Sequence, residues 1–176
     1  MTDDLVLATI RARRPEDLPA CVEILATVHH RDAYPVVWPK DPAGWLDRPG
    51  VVGTWVAVDG TGRVLGHAAL SAEASDPARI WAAHTGEDAG RAATVSRLFT
   101  SPAARGLHLG ERLLAETVRE ALGRGLHPVL GVLHQHAGAL GFYQRAGWIA
   151  LETVDFRLSD GSIVPMHCYA YPPALA

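Results

Sequence analysis

Cysteine is scarce: Cys21 and Cys168 are the only two in 176 residues, and they form no CxxC pair. A disulfide framework is excluded, and a reducing, cytoplasmic setting is the expectation. Long apolar runs are missing as well. None approaches the roughly 18 residues that a membrane-spanning helix needs, so no membrane partner is expected. The opening stretch MTDDLVLATIRARR sets acids ahead of a short apolar run, the reverse of a secretory signal. Nor is there a basic excess: 16 Lys and Arg face 19 Asp and Glu, for a net charge of −3. A nucleic-acid binder would carry a concentrated basic face, so no nucleic-acid partner is expected. Nine histidines raise the question of a metal, but HExxH and finger-type Cys/His spacings are absent. His134 and His136 would share a face only if a strand ran through both. No metal is expected.

Hydrophobic residues make up 48% of the chain and charged residues 20%, values of a soluble globular protein. The length suits one domain over residues 1–176. Residues 5–11, LVLATIR, read as a first strand. A helix opens at Pro15–Asp17, with acids in its first turn, and Leu18, Val22, Leu25 and Val28 recur at helical spacing. The proline- and aromatic-rich stretch that follows predicts an irregular segment with one short helix. GTWVAVD and RVLGHAALS are strand-like and meet at DGTG, a hairpin signal. After a polar stretch comes the strand AATVSRLFTSP, ended by Pro102. The helix beyond Arg105 puts Leu107, Leu114, Val118 and Ala121 on one face, widened by Leu113 and Leu122, and Gly123 and Gly125 stop it. PVLGVL reads as a covered central strand, HAGALGFYQRAG as a short helix, and WIALETVDFRL with SIVPMHCYAY as a last hairpin around SDG. This order predicts an α/β fold in three layers, a mixed sheet of about six to seven strands with helices on both faces.

SPAARGLHLGERLL, residues 101–114, leads from a strand into a helix. Such a turn aims free N–H groups at one point and binds anions. Gly106 and Gly110 let the backbone approach a ligand, and Arg105 adds a positive charge. It is not a P-loop, because Gly110 is followed by Glu111 and Arg112 rather than Lys and Ser or Thr. It is not a dinucleotide turn either, since it follows the fourth strand and lacks GxGxxG.

RLFTSPAARGLHLGERLL does resemble the acyl-CoA-binding segment of the GNAT acyltransferase superfamily, Arg/Gln-x-x-Gly-x-Gly/Ala after a strand ending near a proline. Arg105 takes the first position, His108 the first glycine position and Gly110 the last. HQHAGALGFYQRAGW is similar to that family's Asn-x-x-Ala-x-x-x-Tyr-x-x-x-Gly-aromatic segment: Ala139, Tyr143, Gly147 and Trp148 match, and His136 stands where Asn is usual. The element order suits the same fold over nearly the whole chain.

The resemblance implies acetyl-CoA, or another acyl-CoA, as co-substrate and an amine of a small molecule or peptide as acceptor. It implies that Leu98, Phe99 and Thr100 pair through their backbone with the pantetheine arm, one N–H polarising the thioester carbonyl. The N–H groups of Arg105, Gly106, Leu107, His108, Leu109 and Gly110 would hold the pyrophosphate, with His136 and Tyr143 near the pantetheine and the sulfur. A phenol's pKa of about 10 keeps the Tyr143 hydroxyl protonated at neutral pH, so it is available to stabilise and protonate the departing thiolate. A glutamate that often serves as base on the strand before the CoA turn has no counterpart in AATVSRLFTSP. Glu73 at the end of the third strand, His84 in the following loop, His29 or His30 after the first helix, or a water chain are the candidates left. Tyr34, Trp38 and Trp45 either bury the variable segment or line the acceptor site, where they would favour an apolar or aromatic small molecule. The last hairpin, with Asp155, Arg157 and His167, either forms another wall or pairs with a second subunit, so monomer and homodimer stay open. No cysteine suggests an acyl-enzyme, which points to direct transfer. The alternative is a CoA-sensing module on the same fold without turnover.

Overall fold

The DGTG turn sets the first hairpin. Asp59 Oδ1 accepts from the backbone N–H of Thr61 (2.9 Å) and Arg63 (3.0 Å) and from the Thr61 hydroxyl (2.7 Å). Gly62 supplies the left-handed residue, at φ 87°. On either side run β2 (Val51–Val58) and β3 (Val64–Ser71), with Val58 opposite Val64.

The computed structural model describes residues 8–173. Among them are seven strands and five helices: β1 (Thr9–Ala12), α1 (Leu18–Asp32), α2 (Pro42–Leu46), β2, β3, α3 (Asp76–Thr85), β4 (Ala92–Thr100), α4 (Leu109–Gly123), β5 (His127–Leu133), α5 (Ala137–Arg145), β6 (Ile149–Arg157) and β7 (Ile163–Ala170). The sheet order is β1-β2-β3-β4-β5-β7-β6. It is mixed, as expected: β4 and β5 are parallel, while β1–β2, β2–β3, β5–β7 and β6–β7 are antiparallel. Residues 5–7 of the first expected strand lie outside the described residues. Contacts divide the chain into two compact units, one running up to Ser71 with Val95–Glu120, the other holding Ala72–Thr94 with the residues from Ala121 onward.

In the first unit, Cys21, Leu25 and Val28 form the buried face of α1 and pack with Leu46, Val56, Val58, Val64 and Phe99. The entry to α1 is tied down by Asp17, which accepts from the Arg11 guanidinium at 2.7 and 2.9 Å and from the Arg14 N–H at 2.6 Å. These donors hold its carboxyl below the usual range, the Arg11 bond foremost. At the exit, Ala33 adopts φ 54° and its N–H donates to the His29 carbonyl at 2.9 Å. Glycine is the usual residue there. β3 is buried from residue 64 to 70. At Gly66 a side chain would come within 3.0 Å of the Phe99 carbonyl and of Leu113, so glycine is what lets β3 lie this close to β4 and α4. Leu113, Leu114 and Val118 are buried on α4 as expected.

In the second unit three expectations need correction. Leu122 does not widen the buried face of α4: it is 50% exposed, because nine residues beyond Leu113 the helix has turned about halfway round. The polar stretch between β3 and β4 is not a loop but holds α3. Ser75 Oγ caps it by accepting from the Ala78 N–H at 3.1 Å, and Gly86 stops it at φ 77°. Its apolar side, Ala78 and Trp81, packs with Ala92, Val129 and Ala170. β5 ends at Leu133, so His134 and His136 share no strand face. β5 is central in this unit: Ala92 to Thr94 of β4 pair with His127 to Val129, and β7 pairs with β5 from Val129↔Ala170 to Leu133↔Met166. The β6–β7 hairpin closes at Arg157↔Ile163.

Candidate functional site

β4 departs from regular strand geometry at Arg97, where φ is 48°. The kink turns the Arg97 carbonyl toward His67, a fully buried histidine in the middle of β3, whose Nδ1 lies 2.9 Å from it. On the other side of the ring, Nε2 is 3.1 Å from Arg13 Nη1. A carbonyl only accepts and a guanidinium only donates, so His67 carries its proton on Nδ1 and offers its Nε2 lone pair to Arg13. Burial pushes its pKa down to about 4, and it is neutral. Phe99 stacks on the His67 ring at 5.3 Å. Arg13 is neutralised by an ion pair with Asp47.

The Arg97 side chain is half-buried. Its guanidinium lies 4.3 Å above the Trp45 ring, and Nε donates to the Trp45 carbonyl at 3.2 Å. Burial lowers its pKa, although an arginine stays protonated. Tyr34 closes this cluster, 6.2 Å from Trp45 and 6.3 Å from Phe99 between ring centres. Burial pushes its phenol up to about 12, so it too is neutral. The structure thus brings Tyr34 and Phe99 together. Trp38 stands apart from that cluster, 36% exposed and 5.2 Å from the His29 ring, whose Nδ1 is 2.6 Å from the Pro35 carbonyl. His29 and His30 lie within the last turn of α1 rather than after it.

Beyond Leu98, Phe99 and Thr100 the chain makes a short 3-10 turn, Pro102–Ala104, and its course is fixed by the Ser101 N–H donating to the Leu65 carbonyl at 2.7 Å. Gly106 follows at φ 83° and His108 at φ 55°. The left-handed conformation expected of a glycine at position 108 is therefore kept by a histidine, whose ring points outward, 3.3 Å from Glu111 Oε1. The Arg112 N–H donates to the His108 carbonyl at 3.2 Å. The amides of Leu109, Gly110 and Glu111 precede that bond and have no carbonyl within the helix to receive them. Arg105 pairs with Asp32 at the end of α1, an exposed ion pair.

The remaining candidates belong to the second unit. Tyr143 is buried on α5 at 8% exposure, with its ring 5.1 Å from Phe142, 5.9 Å from Trp148 and 6.5 Å from Tyr169. His136 sits at the start of α5, where its carbonyl accepts from the N–H of Ala139 and Leu140. Glu73 is exposed just past β3. His84, expected in a loop, lies in the last turn of α3, 2.8 Å from Glu152. His134 pairs with His167 at 2.9 Å, and His167 with Thr153 at 2.8 Å. Among the described residues no three histidine, cysteine or acidic side chains gather as a metal group. Burial pushes both thiols, Cys21 and Cys168, up to about 11, so neither is a ready nucleophile.

Sequence reasoning missed His67, Arg13 and Arg97. The first two carry no usable signal, one inside an apolar strand and the other in a run of arginines. Arg97 did carry one, as the lone charge within AATVSRLFT.

A sequence profile described as the acetyltransferase (GNAT) family matches residues 18–148. No curated protein matches the sequence. Solved structures match along nearly the full length. Arabidopsis thaliana NAA60 in complex with acetyl-CoA superposes with a TM-score of 0.72 at 19% identity, over 93% of this chain and 97% of that one. An N-acetyltransferase from Staphylococcus aureus gives 0.71 at 18% identity, over 93% and 97%. For yncA of Salmonella typhimurium with its cofactor acetyl-CoA the values are 0.64 and 20%, over 94% and 93%. At these identities the likeness is one of fold.

Proposed function

The chain belongs to the acetyltransferase (GNAT) family, and from that membership we propose that it transfers an acetyl group from acetyl-CoA directly to the amine of a small molecule or peptide. The observation that carries this reading is the turn from Arg105 to Gly110. Gly106 and His108, both left-handed, lead into a 15-residue helix whose first amides have no partner within it. Oriented N–H groups of this kind suit a pyrophosphate. Arg105 gives up little in leaving Asp32 for it, because an exposed ion pair is worth about 0–1 kcal/mol.

Acetyl-CoA supplies an activated acyl group and a thiol that departs. Leu98, Phe99 and Thr100 offer backbone groups to its arm, and an N–H beside the kink at Arg97 polarises the carbonyl under attack. Tyr143 donates its phenolic proton to the departing sulfur, with His136 beside the same arm. Trp38 and Tyr34 face the acceptor. His67 is not the base, since its one lone pair is committed to Arg13. The proton of the arriving ammonium passes to water, and Glu73 and His84 are the exposed side chains assigned to draw it away.

Release of free thiol from acetyl-CoA across a panel of amines tests the proposal. Turnover with at least one amine supports it. Binding of CoA with no thiol release on any amine would make the chain a CoA-sensing module, a reading that the lack of an acid on β4 favours.

A further inference from the structure

Among the described residues, Arg97 has no acidic partner. One face of its guanidinium rests on Trp45 and its Nε–H is used by the Trp45 carbonyl. Among the described residues its polar contacts go no further than Trp45. Of the described groups around it, Arg48 adds like charge and Tyr34 is a neutral phenol, so neither is a counter-ion. Nearby Arg13, by contrast, has Asp47. Holding a charged group partly out of water without a partner is unfavourable, and an excess cation in such a place is the mark of an anion supplied from outside.

The geometry narrows the anion. Stacking on Trp45 fixes the plane of the guanidinium, and the Nε bond fixes its rotation. What is left is the end formed by Nη1 and Nη2, two parallel donors of the spacing that a carboxylate accepts side by side. Tyr34, Trp45 and Phe99 make the surroundings apolar. Arg97 also directly precedes Leu98, Phe99 and Thr100, the segment assigned to the acyl donor.

We propose that Arg97 is a specificity-determining residue that binds the carboxylate of the acceptor, so that the acceptor class is a small amine with a carboxylate and an apolar body, an amino acid or a close analogue. This rests on the acetyltransferase reading above and deepens it.

The test compares pairs that differ by the carboxylate alone, L-phenylalanine with 2-phenylethylamine and 4-aminobutyrate with propylamine, with thiol release from acetyl-CoA as readout. A charge-assisted bidentate contact should raise kcat/KM for the carboxylated member by at least about tenfold. In Arg97→Gln that ratio should collapse toward unity. Arg97→Lys, which keeps the charge without the fork, should fall between, and it keeps the test open if the glutamine variant does not fold. Equal rates within each pair, or a ratio unchanged by either variant, overturn the proposal. If no amine is turned over, the acetyltransferase reading fails. Calorimetric titration with 3-phenylpropionate then decides the carboxylate site by itself: binding lost in Arg97→Gln supports it, and no binding to the wild-type chain overturns it.

Discussion

His67 donates its Nδ1–H to the carbonyl of Arg97 across 2.9 Å, and this bond joins the buried centre of β3 to the one residue at which β4 turns left-handed. A charged His67 would have to bring a proton to Nε2, which already faces the Arg13 guanidinium. The kink thus depends on a histidine kept neutral.

The pH dependence of stability follows. Burial lowers the His67 pKa from 6.5 to about 4. The unfolded chain takes up a proton near pH 6.5 that the native ring refuses until about pH 4. Stability is therefore full above pH 6.5 and falls as pH drops from there toward 4, by up to roughly 3 kcal/mol from this group. Urea unfolding at several pH values should show this loss in the wild type and a shallower one in His67→Gln, which cannot titrate. Equal slopes would exclude His67 as the source.

On the proposed role of the turn, position 108 acts through its backbone. His108→Gly should leave CoA affinity within about twofold, because glycine occupies φ 55° freely. His108→Val should weaken CoA binding by about tenfold or more, since a β-branched residue resists the left-handed region. Calorimetry with CoA distinguishes the two, and equal effects would mean that the turn tolerates a change of conformation.

Arg105 is expected to exchange Asp32 for the pyrophosphate. Arg105→Gln should weaken CoA binding by about five- to tenfold while changing unfolding free energy by no more than about 0.5–1 kcal/mol. Asp32→Asn should tighten binding slightly. If Asp32→Asn weakens it instead, the ion pair is part of the binding-competent form.

Tyr143→Phe should fold and bind CoA as the wild type does, because the ring contacts with Phe142, Trp148 and Tyr169 need no hydroxyl. Turnover should fall at least about tenfold if the phenol protonates the leaving thiolate. Unchanged thiol release would remove Tyr143 from the chemistry.

Elements with local causes were legible in the sequence. DGTG announced its hairpin because Asp59 caps it from within the turn, and the apolar period of α1 pointed to its buried face. α3 is hidden in the sequence although Ser75, Pro77 and Gly86 are proper helix signals, because small and charged residues dilute its apolar side to Ala78 and Trp81, and the helical place of His84 is hidden with it. Around the candidate site, the chain motif pointed to the turn from Arg105 to Gly110. The cluster of His67, Arg13 and Arg97 was not legible. Its meaning lies in which atoms meet across β3, β4 and the segment after β1, and no spacing along the chain encodes that.

Ala33, the left-handed residue that ends α1, has a consequence for adaptation to heat. It is exposed, and its conformation is one that an L-residue with a Cβ holds at a cost of about 1–2 kcal/mol. Ala33→Gly would remove most of that cost, offset in part by the greater freedom of glycine in the unfolded chain. A gain of about 1 kcal/mol would raise Tm by about 2–4 °C in a chain of this size. The fold thus keeps a reserve of thermal tolerance one substitution away, at a position none of the proposed chemistry uses.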